Sequence, residues 1–212
     1  MNEGQFDTES ADSPNLFWYG RPGSPAVIAF TGMARGLNEL ANFEFVKTTA
    51  QMPVSKVFVR DPHFCFYHRG IDANCHSIPG LRTQLSLVLE ECSPTRLVCL
   101  GVSAGGFAAL LFGHLLGADK VHAFGPQTVL LPGEFQDHTV ETSPLQQLSL
   151  SEEDDFRDLR KLLATHNGKT SYNIHIGRDR CDELHAQALE NLPGVHEFFD
   201  TRARGMPAPL TI

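Results

Sequence analysis

Short apolar runs bounded by glycine, proline or aspartate alternate along this chain with segments in which apolar residues recur every third or fourth position. Runs of the first kind are LFWYG (16–20), PAVIAF (25–30), KVFVR (56–60), TRLVCL (95–100), KVHAFGP (120–126), SYNIHIG (171–177) and VHEFFD (195–200). Their length, their β-branched and aromatic content and their turn-forming edges predict strands. The uninterrupted apolar stretch VIAF predicts a strand covered on both faces. Segments of the second kind predict helices over 77–92, with apolar residues at 81, 85, 88 and 89, over 104–116 and over 182–192. A further helix is predicted from Ser151, with Asp154 completing a capping box and Phe156, Leu159, Leu162 and Leu163 as its apolar stripe. FEFVKT (43–48) reads as a short strand or a helix end, and 61–71 as an aromatic, histidine-bearing loop.

Strands that alternate with helices must be joined by crossovers, which predicts an α/β fold: a mostly parallel sheet with helices on both faces. One such domain is expected over 16–212, behind an acidic, polar lead-in at 1–15 whose composition predicts disorder. The segment 127–150, rich in Pro, Gln, Ser and Thr, is either a small cap or a surface connection.

Composition narrows the partners. The 212 residues, 42% of them hydrophobic, suffice for one sizeable core. The net charge of −8, with no clustered Lys and Arg, argues against a nucleic-acid or anionic-membrane partner. No apolar run approaches the roughly 20 residues that span a bilayer. The cysteines, Cys65, Cys75, Cys92, Cys99 and Cys181, are odd in number and form no C-x-x-C pair, so neither a disulfide framework nor a zinc site is expected. A reducing cytoplasm is the expected compartment, and no metal or cofactor is implied.

The stretch LVCLGVSAGGFAAL (97–110) sets Ser103 between Gly101 and Gly105 at the junction of a predicted strand and a predicted helix. A strand that stops, turns sharply and starts a helix crowds the positions two before and two after the turning residue, so both must be small. Gly106 and Ala108 let the helix approach the sheet. The helix start then offers free backbone N–H groups and the positive end of a dipole, where an oxyanion can rest.

RLVCLGVSAGGFAALLFG resembles the nucleophile elbow of the α/β-hydrolase superfamily, and the strand–helix alternation from about 16 to 200 is compatible with a compact member. The resemblance implies a serine hydrolase acting on a small-molecule ester or thioester through an acyl-enzyme, with Ser103 as nucleophile. It implies one oxyanion donor at the Ala104 amide and a second from the loop after an earlier strand, here AVIAF-TGMARG with Gly32 and Met33. It also implies an acid after the penultimate strand, where Asp179 and Asp182 stand, Asp182 being preferred although it also reads as a helix N-cap.

The family's histidine follows the last strand, and TRARGMPAPLTI (201–212) contains none. A serine hydroxyl needs a base to take its proton. His185, three residues after Asp182, is the preferred candidate; His196, His63, His68 and His76 are the others. The alternatives are a shortened, crippled enzyme or a non-catalytic protein of this fold that binds a ligand or a partner.

Overall fold

The computed structural model describes residues 13–33, 42–135, 137–149, 156–165, 168–177 and 179–199. Seven strands form one sheet: β1 (Leu16–Tyr19), β2 (Ala26–Phe30), β3 (Ser55–Val59), β4 (Leu97–Val102), β5 (Lys120–Phe124), β6 (Ser171–Ile176) and β7 (Val195–Phe199). Their spatial order is β1-β3-β2-β4-β5-β6-β7. Only β1 runs antiparallel, pairing Leu16 with Val59 and Tyr19 with Lys56 at the sheet edge. The remaining pairs are parallel, so the expected mostly parallel sheet is what the chain builds.

The helices are α1 (Val46–Thr49), α2 (Ile78–Cys92), α3 (Ala104–Leu116), α4 (His138–Glu141), α5 (Leu159–Leu163) and α6 (Arg180–Gln187). Local chemistry sets their ends. Ser77 Oγ accepts the Gly80 N–H at 3.2 Å and Pro79 fits the first turn, which starts α2. Gly117 closes α3 at φ 66°, a conformation glycine adopts without strain.

α3 is buried from Ala104 through Gly113. Phe107 and Phe112 are fully enclosed, and burying each is worth about 2–3 kcal/mol. Phe112 stacks on Phe30, and Phe66 meets Phe107 edge-on at 5.6 Å between ring centres. The large core thus lies where α3 crosses β2, β4 and β5, with α2 and α5 against α3. The opposite face carries a smaller cluster, Val27, Val54, Val98 and Leu100, closed by Phe45 and Met52 on either side of α1.

Several boundaries differ from expectation. The segment 43–48 contributes only the start of α1, because Phe45 turns through φ 60° before the helix. α5 begins at Leu159, with Asp158 accepting the Arg160 N–H at 3.0 Å, and not at Ser151. Ser151 and Asp154 lie outside the described residues. α6 is capped by Asp179, whose carboxylate accepts the Cys181 N–H at 2.8 Å, so Asp182 sits inside the first turn and is not the cap.

Candidate active site

β4 ends one residue before Ser103, and α3 starts one residue after it. The serine backbone is held at φ 53° and ψ −121°, outside the regions that L-residues ordinarily occupy. Such a conformation costs on the order of 1–3 kcal/mol and persists only where the surroundings fix it. Here the Ser103 N–H donates to the Phe124 carbonyl at 2.9 Å, and its carbonyl accepts the Phe107 N–H at 3.0 Å. The glycines are required by space: a Cβ on Gly101 would collide with the Gly105 carbonyl oxygen, and one on Gly105 with that of Phe30. Phe30 pairs in register with Gly101, so the end of β2 fills the room that Gly105 leaves.

The hydroxyl that this turn presents is half-buried. Ser103 Oγ lies 3.2 Å from Gln127 Oε1, to which it donates, and among the described residues that is its one side-chain partner. Gln127 is itself buried and follows β5 by three residues. An amide oxygen accepts a hydrogen bond but does not accept a proton near neutral pH. Ala104 heads α3, its N–H within the turn that leaves four donors without intrahelical acceptors.

The first two residues after β2, Thr31 and Gly32, are tied down by hydrogen bonds. The Thr31 N–H donates to Val59 O at 2.9 Å, and Thr31 O accepts the Tyr67 hydroxyl at 2.8 Å. Thr31 Oγ1 accepts the Glu44 N–H at 3.2 Å, and the Gly32 N–H donates to Glu44 Oε2 at 3.0 Å. Gly32, expected as an oxyanion donor beside Met33, therefore already has an acceptor, and among the described residues only the Met33 N–H of that pair has none. Burial pushes the Glu44 carboxyl above the usual carboxylate range, and the Gly32 N–H partly offsets this.

Asp182 lies at the same edge of the sheet. Its carboxylate oxygens stand 3.2 and 3.3 Å from where a Cβ on Gly125 would sit, one residue beyond the carbonyl that receives the Ser103 N–H. His185, the preferred base, meets neither Ser103 nor Asp182 in a hydrogen bond that the geometry shows. It is 1% exposed, and both ring nitrogens are committed: Nδ1 accepts the Thr128 N–H at 3.0 Å, and Nε2 stands 3.2 Å from Asp137 Oδ2. Because a backbone N–H points at Nδ1, the ring proton sits on Nε2 and is donated to Asp137. Thr128 Oγ1 donates to the His185 carbonyl at 2.7 Å, and Phe135 abuts the ring edge-on at 4.9 Å between centres. The structure thus corrects the expected pairing of His185 with Asp182 and Ser103: the imidazole joins the turn after β5 to α6.

None of the other candidate histidines is a hydrogen-bond partner of Ser103 among the described residues. His68 Nδ1 lies 3.1 Å from the Cys65 and Phe66 carbonyls, with its ring stacked on Phe107. His63 is half-buried, while His76 and His196 are exposed. The aromatic loop of which Phe64, Phe66 and Tyr67 are part is organised by buried Asp61, which accepts the N–H groups of His63, Cys65 and Tyr67 at 2.8–2.9 Å. Phe66 and Tyr67 are core residues rather than a pocket lining.

Ligand atoms of Asp137, Cys181 and His185 lie within 4.8 Å of one another. The imidazole has no lone pair to offer a metal ion, since Nδ1 accepts from Thr128 and Nε2 carries the proton. Burial and the Asp137 carboxylate also keep the Cys181 thiol protonated, pushing its pKa up to about 11. In this arrangement the three residues do not fit a metal ion.

Known structures share this architecture. The capsule O-acetyltransferase of Neisseria meningitidis serogroup A superposes with a TM-score of 0.65 at 16% identity, over 89% of this chain and 84% of that one. The fluorophosphonate-binding serine hydrolase FphF of Staphylococcus aureus follows at 0.61 and 14%, over 94% and 90%. The S-formylglutathione hydrolase FrmB of the same organism gives 0.58 and 12%, over 92% and 90%. The chain has the α/β-hydrolase fold. No protein-family model matches the sequence, and no curated protein matches it either. Within the α/β-hydrolase fold Ser103 occupies the strand–helix turn, Asp182 the region after the penultimate strand, and Gln127 and Glu44 are two contacts that the sequence did not announce. A glutamine three residues past a strand has no periodic or spacing signature. The Gly-Pro pair before it (125–126) marks a turn at the sheet edge and was the one available signal.

Proposed function

We propose that the protein carries out acyl transfer on a small-molecule ester or thioester, with Ser103 as the nucleophile. The observation that carries this reading is the strained backbone at Ser103, which turns a hydroxyl out beside the first amide of α3. In the acylation step a bond forms between Ser103 Oγ and the acyl carbon, and the bond to the departing oxygen or sulfur breaks. The hydroxyl proton ends on the departing alcohol or thiol, and water then releases the acid. The amides of Ala104 and Met33 would receive the negative charge of the tetrahedral intermediate, where donors aimed at developing charge contribute most. Asp182 is the carboxylate assigned to this edge of the sheet. The solved neighbours named as an acetyltransferase and as hydrolases support acyl chemistry at the level of the fold.

One observation favours a second reading, a non-catalytic binder of acyl ligands. The Ser103 hydroxyl donates to an amide oxygen, and no described histidine meets it. A fluorophosphonate probe separates the two readings. Covalent labelling of the wild-type protein that disappears in Ser103→Ala establishes an activated serine. A folded wild-type sample that stays unlabelled over hours rules the enzyme reading out.

A further inference from the structure

The loop that follows β2 supplies the second oxyanion amide in the reading above, and the following inference rests on that reading. We infer that Glu44 is a positioning residue for this loop: its side chain takes up the Gly32 N–H and so aims the next amide, Met33 N–H, at the acyl oxygen.

Four observations support the assignment. The contact is reciprocal, since the Glu44 carboxylate accepts from the Gly32 backbone while the Glu44 backbone donates to the Thr31 side chain. Two hydrogen bonds of opposite direction between residues twelve and thirteen apart fix both translation and rotation of the loop. Gly32 passes close to the elbow, since a Cβ there would lie 2.7 Å from the carbonyl oxygen of Val102, the residue directly before Ser103. Tyr67 holds the other side of the loop through Thr31 O, so the remaining freedom of the peptide plane is the freedom that Glu44 removes. Finally, Glu44 directly precedes the φ 60° turn at Phe45, whose ring packs 6.0 Å from that of Phe124 and so anchors it to the sheet.

The alternative role for a carboxylate at this spot is a plug that occupies an oxyanion donor and must leave before substrate binds. The two roles predict opposite signs. A positioning carboxylate is replaced without loss by a glutamine, whose amide oxygen still accepts the Gly32 N–H and brings no negative charge near the developing oxyanion. A plug is relieved by Glu44→Ala, whereas the glutamine, still accepting the Gly32 N–H, leaves it in place.

The experiment measures two quantities in wild type, Glu44→Gln and Glu44→Ala, with circular dichroism to show that each is folded. The first is the rate of fluorophosphonate labelling of Ser103. Displacing a catalytic donor by about an ångström costs on the order of a hundredfold, so Glu44→Ala is expected to label roughly a hundredfold more slowly, and Glu44→Gln to recover the wild-type rate or exceed it. The second is hydrogen exchange of the Gly32 amide. Loss of one hydrogen bond worth about 1 kcal/mol corresponds to roughly fivefold faster exchange in Glu44→Ala, with protection retained in Glu44→Gln. Labelling of Glu44→Ala at or above the wild-type rate overturns the inference. If the wild-type protein is not labelled at all, the acyl-transfer reading has failed on its own. The clamp is then judged on Gly32 exchange alone, where an unchanged rate in Glu44→Ala overturns it and a faster one upholds it.

Discussion

Replacing His185 by alanine tests whether this imidazole holds the fold or performs chemistry. Three losses follow from its contacts. The Asp137 carboxylate, almost fully buried, loses the Nε2–H donor at 3.2 Å. Hydrogen bonds to charged groups are worth about 1.5–3 kcal/mol. The Thr128 N–H loses its acceptor in a buried setting, which costs about 1–3 kcal/mol. The ring itself, packed edge-on against Phe135, leaves a cavity. These terms share one site and do not add fully, so the expected destabilisation is about 3–5 kcal/mol. The assay is urea unfolding followed by circular dichroism, in which the midpoint should fall by about 1–2 M. Two partial replacements sharpen the test. His185→Asn offers an amide oxygen near the place of Nδ1 and keeps the Thr128 bond. His185→Gln offers an N–H near the place of Nε2 and keeps the Asp137 bond. Each should therefore recover part of the lost stability. A wild-type unfolding midpoint in His185→Ala, together with a thousandfold loss of Ser103 labelling, would refute this reasoning and return His185 to the role of base.

Gly105→Ala drives a methyl into the Phe30 carbonyl and should cost about 3 kcal/mol or prevent folding, whereas Gly177→Ala, with nothing within 4 Å, should stay within about 0.5 kcal/mol by the same unfolding assay. Buried thiols set an alkaline limit: burial raises Cys65 to about 12 and Cys75 to about 11, while unfolded thiols ionise near 8.5. Above that value the unfolded chain binds fewer thiol protons than the folded one, so the contribution of these thiols is level below about pH 8 and stability falls as pH rises from about 9 to 11. Urea midpoints across that range check the sign, and Cys65→Ala should flatten the slope.

What could be read in advance was whatever local spacing controls. The elbow was legible because Gly101 and Gly105 are forced by backbone crowding, a constraint that acts within five residues. The strands were legible because both faces of the central ones are buried, which leaves continuous apolar runs such as AVIAF. The antiparallel edge was not, because the reversal of β1 depends on the connection to β3 across 39 positions, from Leu16 to Ser55, and not on any residue within the strand. Of Asp179 and Asp182, the sequence marked Asp182 as the N-cap. Only the geometry shows that Asp179 accepts the Cys181 N–H, which leaves Asp182 to face Gly125. The partner of His185 was hidden for a related reason. Asp137 lies 48 positions earlier, in a segment with no period, and long-range pairs between a loop and a helix leave no mark on either.

The strain at Ser103 bears on function because packing alone does not ask for it. The turn between β4 and α3 needs a residue at φ 53°, and a glycine would adopt that backbone at lower cost than any residue with a Cβ. The chain nevertheless has glycine at 101, 105 and 106 and serine at the turning position itself, with its positive φ. No part of the core depends on that hydroxyl, since its one described partner is the amide of Gln127, three residues beyond β5. Gln127 is held in turn by its neighbour Thr128, through the bonds to His185 and so to α6. The imidazole that sequence spacing nominated as the base thus acts one step removed, by fixing the turn whose glutamine accepts the serine's hydrogen bond. In the proposed acyl transfer the hydroxyl would have to leave that glutamine, whose turn the Thr128–His185–Asp137 cluster holds in place.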